Sequence, residues 1–204
     1  MSLTPTLTQE TRAPNARHQS PHDREALRFN IVLVCVDNRT RSVLGEQLLR
    51  HALRRHGVND IRVTALGGHK FNPTDQIHPT ARTELVRRGL DLELSTPTQF
   101  NGQHLASADL VLTFEREHRT ELYQYAPRMF THAFTLPELA AISRAAPNLP
   151  HLPRHQRIPA AAQLRALGAH QPDIPETWNQ PPTACIAAAE AIERATADLV
   201  TLLA

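Results

Sequence analysis

One stretch of the sequence joins an apolar run directly to a polar loop and then to an amphipathic helix. The run FNIVLVCV at residues 29–36 is short, β-branched and flanked by polar residues, as in a strand that is covered on both faces. The loop DNRTRS follows, and from 43 to 56 leucines and alanines recur on one helical stripe that stops at Gly57. A strand, a six-residue loop and a helix in this order predict the start of a βαβ unit.

The same alternation of strands and helices continues along the chain. Further strands are predicted at 61–66, 90–94, 108–114 and 129–134, with helical segments between them. Strands that alternate with helices at this spacing favour an α/β fold, a three-layer sandwich with a mostly parallel sheet of four to five strands.

The chain is predicted to hold one folded domain behind an N-terminal tail. Residues 1–28 are rich in Pro, Thr, Ser and Arg without hydrophobic period, so we expect a disordered tail there and a single domain over 29–204. Eight of the 16 prolines fall in 147–182, which indicates a long surface excursion with a helical patch at 160–168. Helical period returns at 183–203, and this helix should pack on the sheet.

Composition narrows the function classes. The chain has 41% hydrophobic residues and no apolar run of membrane-spanning or signal-peptide length, so a cytoplasmic protein without a membrane partner is expected. With 22 basic and 20 acidic residues the net charge is +2, which does not indicate a nucleic-acid partner. We also expect the protein to be a monomer. The 12 histidines lack the spacing and companions of a metal site, so we expect no metal.

The loop after the first strand carries the chemistry. Cys35 closes the strand, Arg41 follows six positions later and Ser42 opens the helix. Such a loop directs backbone N–H groups at an oxyanion and lowers a thiol pKa, so Cys35 is predicted to be a thiolate at neutral pH. A thiolate beneath a bound phosphate, with an arginine fork on its oxygens, is suited to covalent phosphoryl transfer. The spacing alone also fits a buried strand cysteine followed by a surface arginine.

The segment VCVDNRTRSVLGEQLLR resembles the signature of the low-molecular-weight protein tyrosine phosphatases, whose loop reads roughly V-C-x-G-N-x-C-R-S-P. Downstream, VTALGG, ARTELVRRGLDL and ADLVLTFEREHRTELYQYAP are similar to further segments of that family. The resemblance implies a phosphomonoester hydrolase, most simply a protein tyrosine phosphatase that acts on phosphotyrosine protein or a small aryl phosphate. It also implies a cysteinyl-phosphate intermediate and no cofactor.

The resemblance assigns roles to the loop residues. It implies that Cys35 is the nucleophile, Arg41 the phosphate-binding arginine, Ser42 the stabiliser of the thiolate and Asn38 the residue that braces the loop. The other loop residues are expected to line the substrate site: Val36, Asp37, Arg39 and Thr40.

Two loop positions depart from the family pattern. Asp37 replaces a glycine, and its carboxylate should repel a dianionic substrate and raise the thiol pKa, although Arg39 could offset the charge. Thr40 replaces the second cysteine, which removes the partner that protects the nucleophile as a disulfide in relatives that have it.

The general acid is expected in the proline-rich excursion. The family carries an Asp-Pro-aromatic motif before the last helix, and here Glu176, Thr177 and Trp178 stand in its place. The resemblance implies that Glu176 protonates the leaving oxygen and that Trp178 contacts the substrate. Asp173 is the reserve candidate, and a solvated carboxylate without a catalytic role is the alternative.

Two other functions compete with the phosphatase. The loop Cys-Val-Asp-Asn-x-x-Arg-Ser is also similar to arsenate reductases, but Cys185 is the only other cysteine, so that reaction would need an external thiol. Asp37 and the missing Asp-Pro pair would also suit a catalytically weakened phosphate- or phosphoprotein-binding module.

Overall fold

The architecture comes from a computed structural model, which describes residues 28–68, 76–90 and 97–204. In these ranges four strands form one sheet in the order β2-β1-β3-β4, and every neighbouring pair is parallel. The strands are β1 Phe29–Cys35, β2 Ile61–Gly67, β3 Leu110–Thr113 and β4 Ala133–Thr135. The predicted α/β fold with a mostly parallel sheet is confirmed.

Helices cover both faces of the sheet and form the other two layers. The longer ones are α1 Arg41–Arg55, α2 Pro79–Arg87, α3 Gly102–Ser107, α4 Arg116–Tyr125, α5 Leu136–Ala145, α6 Arg154–Gln163 and α7 Pro182–Leu203. No helix within the described ranges is long and apolar enough to cross a membrane.

Strand β1 lies at the centre because both of its faces are apolar. Ile31 and Leu33 join the larger core beside α1, α5 and α7, whereas Val32 and Val34 join a smaller core beside α3 and α4. The register pairs Cys35 with Gly67 of β2, so Cys35 lies at the carboxyl edge of the sheet. In a parallel sheet this edge is where loops and helix N-termini form ligand sites.

Two predicted elements differ from the structure. In the predicted strand 129–134, Pro127–Thr131 form a 3-10 helix and only Ala133–Thr135 pair with the sheet. Pro127 begins that turn because proline has no N–H for a strand ladder and its φ suits a helical start. In the predicted helical patch at 160–168, only residues up to Gln163 belong to an α-helix, which begins earlier, at Arg154, and contains Pro159. A 3-10 turn at Arg165–Leu167 follows. Because proline has no N–H, Pro159 cannot donate to the carbonyl of His155. His155 is exposed in the first turn, so solvent can reach this part of the helix.

Two other sequence predictions lie outside the described residues. The tail falls almost wholly on residues 1–27, and the strand predicted at 90–94 falls on 91–94 apart from Leu90. The division into a tail and a domain over 29–204 therefore stays a prediction.

Candidate active site

The loop between β1 and α1 folds back against the end of β2. Asn38 adopts a left-handed φ of 57°, and its Nδ2 donates to the carbonyls of Ala65 at 3.2 Å and Thr98 at 3.4 Å. Its Oδ1 accepts a hydrogen bond from the Ser42 hydroxyl at 2.9 Å. A side chain at Gly67 would place its Cβ 3.0 Å from the carbonyl carbon of Asp37, so the loop needs glycine on the neighbouring strand. The geometry is that of a braced loop, as the sequence implied for Asn38.

The loop leaves backbone donors for an anion. Among the described residues, the amides of Asn38, Thr40 and Arg41 donate to no carbonyl or side chain. These amides precede the first turn of α1, whose positive end adds to their field.

The Cys35 thiol is buried at the start of this loop. Its Sγ lies 3.1 Å from the Ser42 hydroxyl, and the Ser42 backbone N–H also favours the thiolate. Burial, followed by the Asp37 carboxylate, nevertheless raises the pKa of Cys35 against the opposing effects of Arg41 and Ser42. This direction is opposite to the lowered thiol pKa that the loop pattern predicts, and the thiolate at neutral pH stays a prediction. The loop pattern shows the groups that lower a thiol pKa but not the degree of burial.

Asp37 folds back over its own loop. Its Oδ1 accepts the Arg39 backbone N–H at 3.0 Å and lies 3.7 Å from Cys35 Sγ. Burial raises the pKa of Asp37, and Glu176 contributes in the same direction, whereas the Arg39 N–H and the Arg39 charge oppose the rise. Asp37 raises the pKa of Cys35 as predicted, whereas an offset of its charge by Arg39 stays a prediction.

Arg41 is completely buried and is held by two carboxylates. Its Nη1 donates to Glu115 Oε2 at 2.8 Å and to the Ile174 carbonyl at 2.9 Å, and its Nη2 donates to Glu176 Oε2 at 2.6 Å. Its buried Nε has no hydrogen-bond partner among the described residues. A buried guanidinium nitrogen without a partner carries a large desolvation cost, which a bound oxyanion would remove.

Glu115 and His118 belong to the site but were not predicted. Glu115 lies two residues after the end of β3, and His118 Nδ1 lies 3.1 Å from its Oε2. Although burial opposes the change, hydrogen bonds from His118 and Arg41 lower the pKa of Glu115 to about 2. The His118 side chain is only 14% exposed and faces Glu115 rather than solvent. The available signal for Glu115 was its position at the carboxyl end of a central strand, like that of Cys35.

The two candidate acids differ in position. Glu176 contacts Arg41 through Oε2, and its Oε1 accepts the backbone N–H groups of Thr177 at 2.7 Å and Trp178 at 3.2 Å. Asp173 instead faces Arg116, with 3.6 Å between Oδ2 and Nη1. The structure therefore brings Glu176, and not Asp173, into contact with Arg41.

The remaining predicted residues lie around the loop or away from it. Trp178 is 43% exposed, and the Arg39 guanidinium carbon stacks 4.2 Å from its ring centroid. Val36 lines a cavity of about 300 Å³ beside Cys35, and Thr40 is buried just before α1. Cys185 is buried in α7, where burial raises its pKa to about 11.

Comparisons of sequence support a common origin with known phosphatases. A family model described as low molecular weight phosphotyrosine protein phosphatase matches residues 30–150. The probable low molecular weight protein-tyrosine-phosphatase EpsP of Ralstonia nicotianae is 28% identical over 117 residues, which are 57% of this chain and 77% of that protein. The low molecular weight protein-tyrosine-phosphatase Wzb of Escherichia coli K12 is 33% identical over 100 residues, which are 49% of this chain and 64% of that protein.

Solved structures share the fold. A crystal structure of a YwlE mutant from Bacillus subtilis gives a TM-score of 0.67 at 19% identity, over 86% of this chain and 98% of that one. The tyrosine phosphatase Wzb from Escherichia coli K30, in complex with sulphate, gives a TM-score of 0.64 at 18% identity, over 86% of this chain and 98% of that one.

Proposed function

Because the chain belongs to the low molecular weight phosphotyrosine protein phosphatase family, we propose that Cys35 and Arg41 hydrolyse phosphotyrosine on protein or a small aryl phosphate. The family is one of cysteine-dependent phosphatases, and the chain is such an enzyme. The observation that carries the assignment of residues is the shared loop. It holds a buried sulfur 3.1 Å from Ser42 Oγ and a buried arginine whose Nε lacks a described partner.

The first step is attack by sulfur. The phosphoryl oxygens accept from the loop amides and from Arg41 Nε, which neutralises charge in the transition state. The thiol proton passes to solvent before attack, and the Ser42 hydroxyl and N–H stabilise the thiolate. The bond from Cys35 sulfur to phosphorus then forms while the bond from phosphorus to the aryl oxygen breaks.

Glu176 is the proposed proton donor to the leaving oxygen. In the substrate-free structure its Oε2 is bound to Arg41 Nη2, so an arriving phosphate competes for that nitrogen and releases the carboxyl toward the leaving group. In the second half-reaction Glu176 takes a proton from water, the water oxygen bonds to phosphorus, and the bond to sulfur breaks. After phosphate has left, the sulfur takes a proton back from solvent. The products are the phenol, inorganic phosphate and the regenerated thiol.

Leaving-group dependence tests these roles. Cys35→Ser should abolish turnover of both p-nitrophenyl phosphate and phenyl phosphate. Glu176→Gln should lower kcat/KM for phenyl phosphate by about 10²-fold or more, and kcat/KM for p-nitrophenyl phosphate much less, because this constant reports the first half-reaction, in which nitrophenolate leaves without a proton. Asp173→Asn is the matched control and should change neither rate by more than a few-fold. Equal losses for the two substrates in Glu176→Gln would contradict the role as acid.

The arsenate reductase alternative and the cellular setting can be considered from the same residues. The relatives are named phosphatases and Cys185 lies in α7, so no observation favours arsenate reduction. Phosphotyrosine substrates, a cytoplasmic location, a monomeric state and the absence of nucleic-acid and membrane partners are part of the proposal. The two widely separated cysteines and the near-balanced charge support it.

A further inference from the structure

A second cavity lies on the opposite side of the segment that carries Glu176. It has a volume of about 500 Å³ and is formed by α5, α7 and residues 171–177. Its volume is in the range of small-molecule sites in proteins. Most of its wall is apolar, and the residues that contribute to it include Pro137, Ala140, Pro172, Ile174, Ala188 and Ala191.

Two polar atoms in this wall are buried without a partner. Thr177 is only 5% exposed, and its Oγ1 makes no hydrogen bond among the described residues. The Oδ1 of Asp173 is in the same situation, although its Oδ2 faces Arg116. Both residues line the cavity. Buried polar atoms nearly always have partners, so this pair indicates a molecule that supplies a hydrogen bond.

Hydrogen bonds connect the wall of this cavity to Arg41 in the active site. The Ile174 carbonyl accepts from Arg41 Nη1, and the Ile174 N–H donates to the Phe114 carbonyl at 2.9 Å. Glu176 bonds Arg41 Nη2 from the same segment. One face of residues 171–177 therefore holds the catalytic arginine while the other face lines the cavity.

We propose that this cavity binds an aromatic molecule bearing a hydroxyl group, and that its occupancy weakens phosphate binding at Arg41. The apolar wall accommodates the ring, the carboxylate oxygen of Asp173 requires a donor, and the Thr177 hydroxyl can donate or accept. A ligand here stabilises the segment in the arrangement in which Glu176 occupies Arg41 Nη2, and phosphate needs that nitrogen. The coupling is reciprocal, and a change of about five-fold or more in phosphate affinity is expected. The coupling rests on the proposed role of Arg41, whereas binding in the cavity does not.

Phenol and toluene serve as probes for the full-length chain. Amide chemical shifts should change in 171–177 and along one face of α7 when either probe is titrated. Ala191→Phe fills the cavity and should abolish the response to both probes. If that variant is unstable, the smaller Ala191→Leu replaces it and should weaken both responses. Ala197→Phe, on the exposed face of the same helix, is the control and should leave both unchanged. Thr177→Val should weaken phenol binding several-fold and leave toluene binding unchanged.

The second arm measures inorganic phosphate affinity through the fluorescence of Trp178, the only tryptophan, with and without phenol. Phenol should weaken phosphate binding in the wild-type protein and in Ala197→Phe, but not in Ala191→Phe. If phenol still changes the amide chemical shifts of Ala191→Phe, or changes only those of residues 35–42, the proposal that phenol binds in this cavity is wrong. Binding in the cavity with unchanged phosphate affinity would overturn the coupling. Neither arm measures turnover, so failure of the proposed catalysis would appear separately in the Cys35 and Glu176 variants.

Discussion

At the scale of the residue, Asp37 is the clearest departure of this loop from its relatives. Its carboxylate lies 3.7 Å from Cys35 Sγ and occupies the Arg39 N–H that an oxyanion would use. A bound phosphate would bring a second negative charge close to this carboxylate, so Asp37→Asn should tighten inorganic phosphate binding by about tenfold or more. It should also lower the thiol pKa, because a negative charge beside the sulfur is removed.

The measurements are phosphate inhibition of p-nitrophenyl phosphate hydrolysis and the pH dependence of iodoacetamide alkylation at Cys35. Asparagine can keep the hydrogen bond to Arg39 N–H, so the change isolates charge. Asp60→Asn, at the amino edge of the sheet, is the control. Unchanged alkylation in Asp37→Asn would show that the Asp37 charge does not act on the sulfur.

Glu115 gives the protein a pH-dependent contribution to stability. Its pKa falls from the ordinary 4.5 to about 2 in the folded state, so the stabilisation is fully present above 4.5 and is lost as pH falls toward 2. Glu115→Gln should lower the free energy of unfolding by on the order of 2 kcal/mol at pH 7, and by progressively less below pH 4. Urea unfolding across this pH range measures the difference. Glu117→Gln, in the first turn of α4, is the control for loss of a carboxylate in this region, and a constant difference in Glu115→Gln would refute the linkage.

The sequence predicted the residues of the loop but not their ionisation or their partners. Cys35, Asn38, Arg41 and Ser42 are close together because they are close in sequence, and a short loop leaves few ways to arrange them. Glu115 reaches Arg41 across 74 positions, and only the strand order brings them together. The burial that raises the pKa of Cys35 likewise depends on the whole fold.

At the scale of the element, the strands and helices with strong hydrophobic period were predicted within a few residues. The predicted 61–66 is observed as Ile61–Gly67, and the predicted C-terminal helix 183–203 as Pro182–Leu203. The errors fall at prolines, because Pro127 starts a 3-10 turn where a strand was expected and Pro159 lies inside α6. Proline excludes some conformations locally, but tertiary packing selects among those that remain.

The end of β2 determines whether the phosphate loop can close. A Cβ at Gly67 would lie 3.0 Å from the Asp37 carbonyl carbon and 3.1 Å from Asn38 Cβ, so the loop must shift to accept it. Gly67→Ala should cost about 1–3 kcal/mol of stability and weaken phosphate binding, because the displaced amides no longer converge. Urea unfolding and phosphate inhibition measure the two effects. At Gly102 a Cβ meets nothing within 4 Å, so Gly102→Ala is the matched control and should change neither. Normal phosphate affinity in Gly67→Ala would show that the loop tolerates the displacement.

At the scale of the whole molecule, the family match ends at residue 150, but the core does not. Helix α7 packs against α1 and α5, and its apolar side chains Ile192, Leu199, Leu202 and Leu203 are almost completely buried in the main core. The segment before it supplies Ile174 and Glu176, which bond Arg41. The matched region therefore has neither a complete core nor a complete site.

A chain that ends at residue 150 should not fold cooperatively. Burial of a leucine or isoleucine contributes about 1.5–3 kcal/mol, so loss of the four buried side chains of α7 removes about 6–12 kcal/mol, which is comparable with the 5–15 kcal/mol that stabilises a typical domain. Far-UV circular dichroism during urea titration should show a gradual change without a sigmoidal transition. A chain of residues 28–204 is the control, and if the predicted tail packs against nothing it should unfold at the same urea concentration as the full chain. A sigmoidal transition in the 150-residue chain would mean that α7 covers a core already stable without it, and the main contribution of the residues after 150 would then be the bonds from Ile174 and Glu176 to Arg41.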